Sequence, residues 1–259
     1  MFKLSTLRAY SEAGFHLFPC KPGSKIPAIK DYHQQASCDM KVLEEWFRRM
    51  PNSNWACATE PSRLLVLDID KRYDGFESLK TVEEVFGKLP LSSLIQATPS
   101  GGWHVVFRLP PNKDAVPSTG KLGKGLEIIS RKGQFVVSPS VISDSLYESY
   151  VWIEEDPANA IRNVPVAPGW LVDFALQANV VERAFVPVKA AQNFSLRGLA
   201  SYLASQVEGN RNNCLYWAAR RARDHGVSLS ETLSTFLPIA QSIGLTKAES
   251  EATIKSAFK

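Results

Sequence analysis

The chain has 259 residues, of which 44% are hydrophobic and 22% are charged. This length and balance allow one large domain, or a catalytic domain with a smaller helical one, and they exclude a disordered or fibrous protein. The 30 Lys and Arg residues against 26 Asp and Glu residues give a formal net charge of +4. Because many enzymes with neutral substrates carry a similar charge, this value does not by itself identify a nucleic-acid-binding protein.

The cysteines and the apolar segments indicate the compartment. Cys20, Cys38, Cys57 and Cys214 are scattered, with no C-x-x-C pair, which argues against structural zinc or a disulfide framework and favours reduced thiols. The N-terminal segment has apolar residues at helical spacing, and no stretch approaches the ~20 apolar residues that span a bilayer. We therefore expect a cytoplasmic protein without a membrane segment.

In chain order, the first two thirds of the sequence mix strand and helix patterns. Helical periodicity covers 3–13, about 40–50 and 76–87, and Asp39 or Ser37 is the expected N-cap of the second helix. Pro22, Gly23 and Pro27 interrupt regular structure between these helices. Strands are predicted at 15–18, 55–58, 64–69, 94–98, 103–109, 126–129 and 134–138. This mixture, with sequential hairpin-like strands, predicts an α+β fold and not a doubly wound parallel sheet.

The last third of the sequence reads as helical. Pro165 and Pro168 precede WLVDFAL, which predicts one closing helix that ends near Ala178. Four further helices are predicted, at about 195–207, 211–225, 229–242 and 246–258. We therefore expect a catalytic domain over 1–178, a linker over 179–193 and a small all-helical domain over 194–259.

The first chemistry-bearing segment is LLVLDID, an apolar run that ends in Asp68 and Asp70. Since side chains alternate along a strand, both carboxylates lie on one face, with Leu67 and Ile69 on the other. Two carboxylates this close repel each other unless a cation neutralises them, and Mg²⁺ and Mn²⁺ prefer such oxygen ligands. A strand that runs out into solvent, with the aspartates at a turn, explains the pattern equally well.

The second segment is TPSGGWHVVF, in which a Ser100-Gly101-Gly102 turn opens a strand. Backbone amides exposed by such a turn can hold phosphate oxygens. His104 lies just inside the strand, where it can contact a triphosphate held at the turn. A structural histidine after a routine hairpin turn is the alternative.

The third segment is GLEIISRKGQFVVSPS. Glu127 lies in the apolar strand LEII, where an unpaired carboxylate is costly to bury. A cation shared with Asp68 and Asp70 would supply the missing partner. Arg131 lies in the basic turn that follows, where it can meet phosphates. An edge-strand glutamate paired with a nearby lysine is the alternative.

The order of these three segments resembles the primase–polymerase (prim-pol) domain of the archaeo-eukaryotic primase superfamily. The resemblance covers about residues 10–175. It is carried by the opening GFHLFPCKPGSKIPAIKDYHQQAS, a helix that ends in WFRRMP, and the D-x-D, S-G-G-x-H and E-x-x-x-R elements in that order. It implies an archaeo-eukaryotic primase-like α+β domain with a mixed or antiparallel sheet.

Carried over to this chain, the resemblance implies two-metal nucleotidyl transfer with Mg²⁺ or Mn²⁺. The metals would be held by three carboxylates: Asp68, Asp70 and Glu127. The phosphates of the incoming nucleotide would be contacted by Ser100, Gly101, His104, Arg131 and Lys25. The carboxylates and His104 form the expected catalytic set, and Lys30 matches a further basic position of the opening segment.

Two positions depart from the family pattern. Glu127 stands where many relatives carry Asp; it is one methylene longer, which changes the metal spacing slightly and keeps the charge. The last motif reads Ser138-Pro139-Ser140, where Pro-Pro-Ser is commoner.

The segment EGNRNNCLYWAARRARDHG resembles a helical module that often follows prim-pol domains in phage and plasmid replication proteins. Five arginines face two acidic residues between positions 195 and 225. Arg211, Arg220 and Arg221 are the candidate contacts to a DNA phosphate backbone. A solvated basic face on a small bundle explains the same residues equally well.

The activity implied is synthesis of primers on a single-stranded DNA template from nucleoside triphosphates, in replication of a phage, plasmid or other mobile element. Because the sequence has no G-x-x-x-x-G-K-[ST] motif, we expect unwinding to come from a separate helicase. The rival hypotheses are an origin-binding initiation protein with an inactive polymerase fold, a two-metal nuclease, and a repair or lesion-bypass polymerase.

Overall fold

The computed structural model describes residues 2–90, 94–142, 149–177, 195–206, 208 and 211–259. Contacts within the chain group the protein into two compact units. The first unit contains Met1–Tyr73, Leu89–Thr119 and Glu127–Ala184, and the second contains Asp74–Lys88, Gly120–Leu126 and Phe185–Lys259. The predicted linker over 179–193 lies outside the described residues, and the predicted domain boundaries stay a prediction.

The elements of the described residues follow in chain order. The α-helices are α1 (Leu4–Glu12), α2 (Tyr32–Gln35), α3 (Met40–Arg49), α4 (Gly75–Phe86), α5 (Pro157–Arg162), α6 (Gly169–Gln177), α7 (Leu196–Ala204), α8 (Arg211–Asp224), α9 (Leu229–Ser242) and α10 (Lys247–Ala257). The strands are β1 (Leu17–Cys20), β2 (Asn54–Ala58), β3 (Leu64–Ile69), β4 (Leu94–Ala97), β5 (Trp103–Arg108), β6 (Thr119–Gly123), β7 (Leu126–Ile129), β8 (Gln134–Val136) and β9 (Val151–Trp152).

Two antiparallel sheets organise the first unit. One has the strand order β1-β2-β8, and the other places β7-β3-β5-β4-β9 side by side. In the second sheet β3 and β5 pair along their whole length, from Leu64 opposite Arg108 to Ile69 opposite Trp103. These sheets and their helices confirm the predicted α+β class, and the closing segments confirm the predicted helices at the C-terminal end.

The helix termini follow local sequence rules. Asp39 accepts a hydrogen bond from the Lys41 N–H at 2.9 Å, so of the two predicted caps it is Asp39 that begins α3. The short helix α5 was not predicted, although Asp156 caps it and Pro157 occupies its first turn. One turn and a half of helix leaves too short an apolar pattern for periodicity to register.

The core of the first unit ties distant segments of the chain together. Trp55, Tyr10 and Phe18 are fully or almost fully buried between the helices and the three-stranded sheet. Trp152 donates from Nε1 to the Tyr10 hydroxyl at 2.7 Å, and that hydroxyl donates to the Ser138 carbonyl at 2.7 Å. Each buried aromatic side chain contributes about 1.5–3 kcal/mol of transfer free energy. This network fixes the β8 segment, which borders the site described below.

The second unit packs α4 with α7, α8, α9 and α10. The Phe86 ring stacks on Trp217 at 4.8 Å and meets Tyr202 edge-on at 5.7 Å. Gly226 and Gly244, with φ of 80° and 96°, end α8 and α9 as the sequence predicts. Across the parts of the chain with described coordinates, no helix combines the length and apolarity needed to cross a membrane.

Candidate active site

One row of polar side chains crosses the second sheet of the first unit. Gln96 on β4 lies opposite His104 on β5, and His104 lies opposite Asp68 on β3. Because directly opposed residues of antiparallel strands project on the same face, the three side chains are neighbours. Gln96 Nε2 is 3.0 Å from His104 Nδ1, and His104 Nε2 is 3.7 Å from Asp68 Oδ1. Two predicted site residues are thus brought together, with a glutamine behind them.

The pKa of Asp68 is set by its burial and by the charged side chains around it. Its side chain is 31% exposed. The pKa of Asp68 is raised to about 6. Burial is the largest cause, the negative charges of Glu127 and Asp70 add to it, and the positive charges of Lys25 and Arg72 oppose it. Glu127 and Asp70 are therefore near enough to repel the charge of Asp68, and a bound cation would offset this repulsion.

Asp70 is held by an arginine that the sequence interpretation passed over. Arg72 donates from Nε to Asp70 Oδ1 at 3.0 Å and from Nη2 to Oδ2 at 2.7 Å. This hydrogen bonding lowers the pKa of Asp70. The signal in the sequence is the i, i+2 spacing of the two residues in a short helical turn. Since Arg72 is 63% exposed, the pair is screened by solvent and contributes little stability.

His104 is enclosed by rings. Tyr150 stacks on it at 5.7 Å and Phe135 meets it edge-on at 5.7 Å. Burial, assisted by the positive charge of Lys25, lowers the pKa of His104 to about 3. His104 is therefore neutral at physiological pH, and its approach to Asp68 is not an ion pair. Lys25, a predicted phosphate contact, places its Nζ 5.8 Å from the centre of the Tyr150 ring.

The Ser100-Gly101-Gly102 turn is closed by its own amides. The Gly101 N–H donates to the Thr98 carbonyl at 2.9 Å, and the Gly102 N–H donates to Thr98 Oγ1 at 3.1 Å. These two amides are therefore used within the turn, and the expected cradle of open amides is corrected in this respect. The Ser100 hydroxyl shares a hydrogen bond with Thr98 Oγ1 at 3.1 Å.

The two glycines of the turn have separate structural roles. Gly101 has a φ of 81°, a conformation that side chains other than glycine rarely adopt. A Cβ added to Gly102 would collide with the Ile69 carbonyl. Gly102 therefore lets β5 begin directly beside the end of β3, and this close approach sets His104 opposite Asp68.

Arg131 is not brought to the carboxylates. Ser130 Oγ donates to the carbonyl of Leu64 at the start of β3, whereas Asp68 lies four residues further on, about 13 Å along a strand. The Arg131 guanidinium donates twice to the Ala115 carbonyl and borders a separate cavity of about 390 Å³. The structure therefore does not bring Arg131 together with the carboxylates, because the hairpin turn lies at the opposite end of the strand, and its phosphate contact stays a prediction.

The carboxylates Asp68, Asp70 and Glu127 have the ligand chemistry that a divalent cation prefers, but their positions do not form a complete coordination site. Within the described ranges, no three His, Cys, Asp or Glu side chains are close enough to form a ready-made metal site. Glu127 is exposed, and both oxygens of Asp70 are taken by Arg72. The fit rests on the donor set itself, which supplies oxygen ligands. Burial and, after it, the charges of Glu127 and Asp70 raise the pKa of Asp68, and a hard cation would offset both effects.

The arginines of α8 belong to the second unit. The guanidinium of Arg221 lies 5.7 Å from the Trp217 ring and 5.9 Å from the Phe86 ring, and it donates to the Val85 carbonyl at 3.4 Å. Burial lowers its pKa. Arg221 is thus used inside the unit. Arg220 lies on the same helix and Arg211 begins it, and both are partly exposed.

An α+β fold in which an antiparallel sheet sets Asp68 opposite a buried histidine is the architecture expected of the primase–polymerase class. The sequence profile of the family described as bifunctional DNA primase/polymerase, N-terminal, matches residues 7–170, and the chain belongs to this family. Members are DNA primases and polymerases, nucleotidyltransferases that generally use divalent metals. No curated protein is similar enough to the chain to be matched with it.

Proposed function

We propose that this protein synthesises primers on single-stranded DNA from nucleoside triphosphates by divalent-metal-dependent nucleotidyl transfer. The observation that carries the proposal is the row in which Asp68 lies opposite His104, with Glu127 and Asp70 close enough to add to the effect of burial in raising the pKa of Asp68. Repulsion between these carboxylates lowers the stability of the folded protein, and a catalytic cation bound beside them would offset it. The setting proposed is replication of a phage, plasmid or other mobile element, with a separate helicase.

The carboxylates have the first role. Asp68, Asp70 and Glu127 would hold Mg²⁺ or Mn²⁺. When bound, such cations lower the pKa of the attacking hydroxyl and offset the charge of the triphosphate and its leaving pyrophosphate. Asp68 and Asp70 lie at the end of a strand that is paired on both sides, so their backbone positions are set before substrate arrives.

The neutral and basic side chains have the second role, which is to bind and orient the triphosphate. His104 presents its Nε2 edge toward Asp68 and would donate a hydrogen bond to a phosphate oxygen there. Lys25 would add a positive charge on the same side, since its charge acts on both Asp68 and His104. The Ser100 hydroxyl at the glycine turn would supply a further donor.

Template binding would depend on backbone contacts, because base pairing itself selects the incoming nucleotide. Arg211 and Arg220 are the proposed phosphate contacts from α8. Arg221 is left out of this set, since its guanidinium is already used against Trp217 and Val85.

Unprimed single-stranded DNA tests the function directly. The purified chain is incubated with a circular template, labelled nucleotides and Mg²⁺ or Mn²⁺, and products are resolved by length. The proposal expects short new strands that depend on template and metal. Extension of an added primer without new starts would indicate a repair polymerase instead. Template cleavage without nucleotides would indicate a nuclease, and DNA binding without incorporation would indicate an initiation protein.

A further inference from the structure

We infer that Gln96 is a positioning residue that fixes His104 as the tautomer with its proton on Nε2, so that His104 can donate to a bound phosphate. The inference deepens the proposed function and takes the identity of the ligand from it. The tautomer itself depends on protein hydrogen bonds alone, so it can be tested without any activity.

The orientation of the Gln96 amide is set by two backbone groups of fixed polarity. The Ser138 N–H donates to Gln96 Oε1 at 2.7 Å. Gln96 Nε2 donates to the Val136 carbonyl at 2.8 Å. A flipped amide would set N–H against N–H and carbonyl against carbonyl, so the oxygen and nitrogen positions are determined.

The second hydrogen of Gln96 Nε2 faces His104. Nε2 lies 3.0 Å from Nδ1 of the imidazole, and an amide nitrogen has no acceptor capacity. Nδ1 must therefore present its lone pair. A neutral imidazole with Nδ1 as acceptor carries its proton on Nε2, on the edge that lies 3.7 Å from Asp68. The donor is thus aimed at the proposed phosphate position.

The support behind Gln96 is rigid. Gln96 is completely buried, and its strand pairs with β5 on one side and β9 on the other. Ser138 is held in turn by the hydroxyl of Tyr10, which Trp152 engages from the far side. Because every group in this chain of hydrogen bonds is anchored, Gln96 cannot turn its carbonyl toward His104 without leaving a buried polar group unpaired.

Long-range ¹H–¹⁵N NMR of the full chain, labelled with ¹⁵N-histidine, tests the assignment. The signals of His104 are identified by their loss in His104→Ala. We expect a protonated Nε2 and an unprotonated Nδ1 in the wild-type protein. A proton on Nδ1 would overturn the inference. This measurement needs no variant at Gln96, so it decides the tautomer even where such a variant fails to fold.

Gln96→Glu tests the consequence for substrate, with Gln34→Glu on the exposed face of α2 as a control that makes the same chemical change. A carboxylate accepts where the amide donated, so we expect a proton on Nδ1 of His104 and an apparent KM for nucleotide raised about tenfold, with a smaller change in kcat. Gln34→Glu should match the wild type in both readouts. An unchanged tautomer or an unchanged KM in Gln96→Glu, with activity present, overturns the inference. A wild-type protein with the Nε2–H tautomer and no incorporation would refute the proposed function and leave the tautomer assignment standing.

Discussion

The carboxylate site on β3 and the arginine-rich helix α8 both concentrate charge of one sign. The two regions differ in how far other groups of the protein compensate that charge. Burial raises the pKa of Asp68, and the unfavourable neighbouring charges of Glu127 and Asp70 add to that rise. Along α8 the charges of Arg221 and Arg223 are engaged internally, by rings and by backbone carbonyls. At Asp68 the unfavourable charge is only partly offset by Lys25 and Arg72, whereas two of the α8 arginines are engaged by groups within their own unit.

This difference teaches how a charged pattern in a sequence should be interpreted. A run of arginines indicates nucleic-acid binding only to the extent that the guanidinium groups are left for a ligand. A carboxylate pair on a strand indicates function when its repulsion persists in the folded protein. The expectations below follow from that contrast, in order of decreasing effect.

The largest effect is expected for Asp68→Asn. Loss of one carboxylate from the proposed cation site should lower nucleotide incorporation by at least about 10³-fold, equivalent to about 4 kcal/mol of transition-state stabilisation. The measurement is the initial rate on a primed template at saturating nucleotide. Asp114→Asn, in an exposed loop of the same unit, is the matched control and should keep the wild-type rate. Equal rates for both variants would remove Asp68 from the catalytic set.

His104→Ala should act on binding more than on chemistry. Removing a donor to the triphosphate is expected to raise the apparent KM for nucleotide by about 10- to 100-fold, with kcat changed less. Steady-state kinetics over a range of nucleotide concentrations separate the two parameters. A lower kcat at unchanged KM would assign His104 to a different role.

Arg221→Ala should reveal a structural arginine. Its guanidinium packs on Trp217 and bonds to the Val85 carbonyl, so truncation is expected to lower the free energy of unfolding by about 1–2 kcal/mol. Thermal denaturation measures this loss. Arg220→Ala should weaken DNA binding and reduce its salt dependence. Were Arg221→Ala fully stable and defective only in DNA binding, the contrast between the two regions would fail.

The smallest effect concerns stability against pH. Because the folded-state pKa of Asp68 is about 6, above its ordinary value of 3.8, its ionised form destabilises the fold. Asp68→Asn should therefore be more stable than the wild type by about 1 kcal/mol above pH 6, after allowance for solvent screening. The advantage should fade as the pH falls from 6 to 4, since Asp68 then becomes neutral in the wild type. A variant less stable than the wild type at pH 7 would contradict the unfavourable burial and repulsion of the Asp68 charge.

Much of the fold follows from local patterns in the sequence. The strands at 64–69 and 126–129 have the predicted bounds, and the helices of the C-terminal segment fall within a few residues of the prediction. The short elements α5 and β9 were not predicted, because they contain too few residues to show a helical or strand periodicity. Because these patterns are local, they predict individual helices and strands better than they predict which of them pair or pack together.

The site was predicted in part, for the same reason. Asp68, Asp70 and His104 were identified from their residue types, whereas the register that sets His104 opposite Asp68 depends on strand pairing. Arg131 is close to Glu127 in the sequence, and this proximity conceals the length of strand that separates it from the carboxylates. Gln96 has a usable signal in the sequence, because a glutamine within an apolar strand requires buried hydrogen-bond partners.

One departure from the family pattern acquires a physical role. Ser138 stands where the resemblance suggests proline, and its N–H is the donor that orients Gln96. Proline has no N–H to donate, so this substitution bears directly on how His104 is held.

The three carboxylates are proposed to bind Mn²⁺ together. This binding can be measured without an activity assay, by titrating the protein with Mn²⁺ and monitoring the electron paramagnetic resonance signal of the free ion. The account predicts that the wild type and Asp114→Asn remove Mn²⁺ from solution with the same affinity, and that Asp68→Asn and Glu127→Gln each bind it at least about tenfold more weakly. Equal Mn²⁺ affinity in the wild type, Asp68→Asn and Glu127→Gln would contradict it.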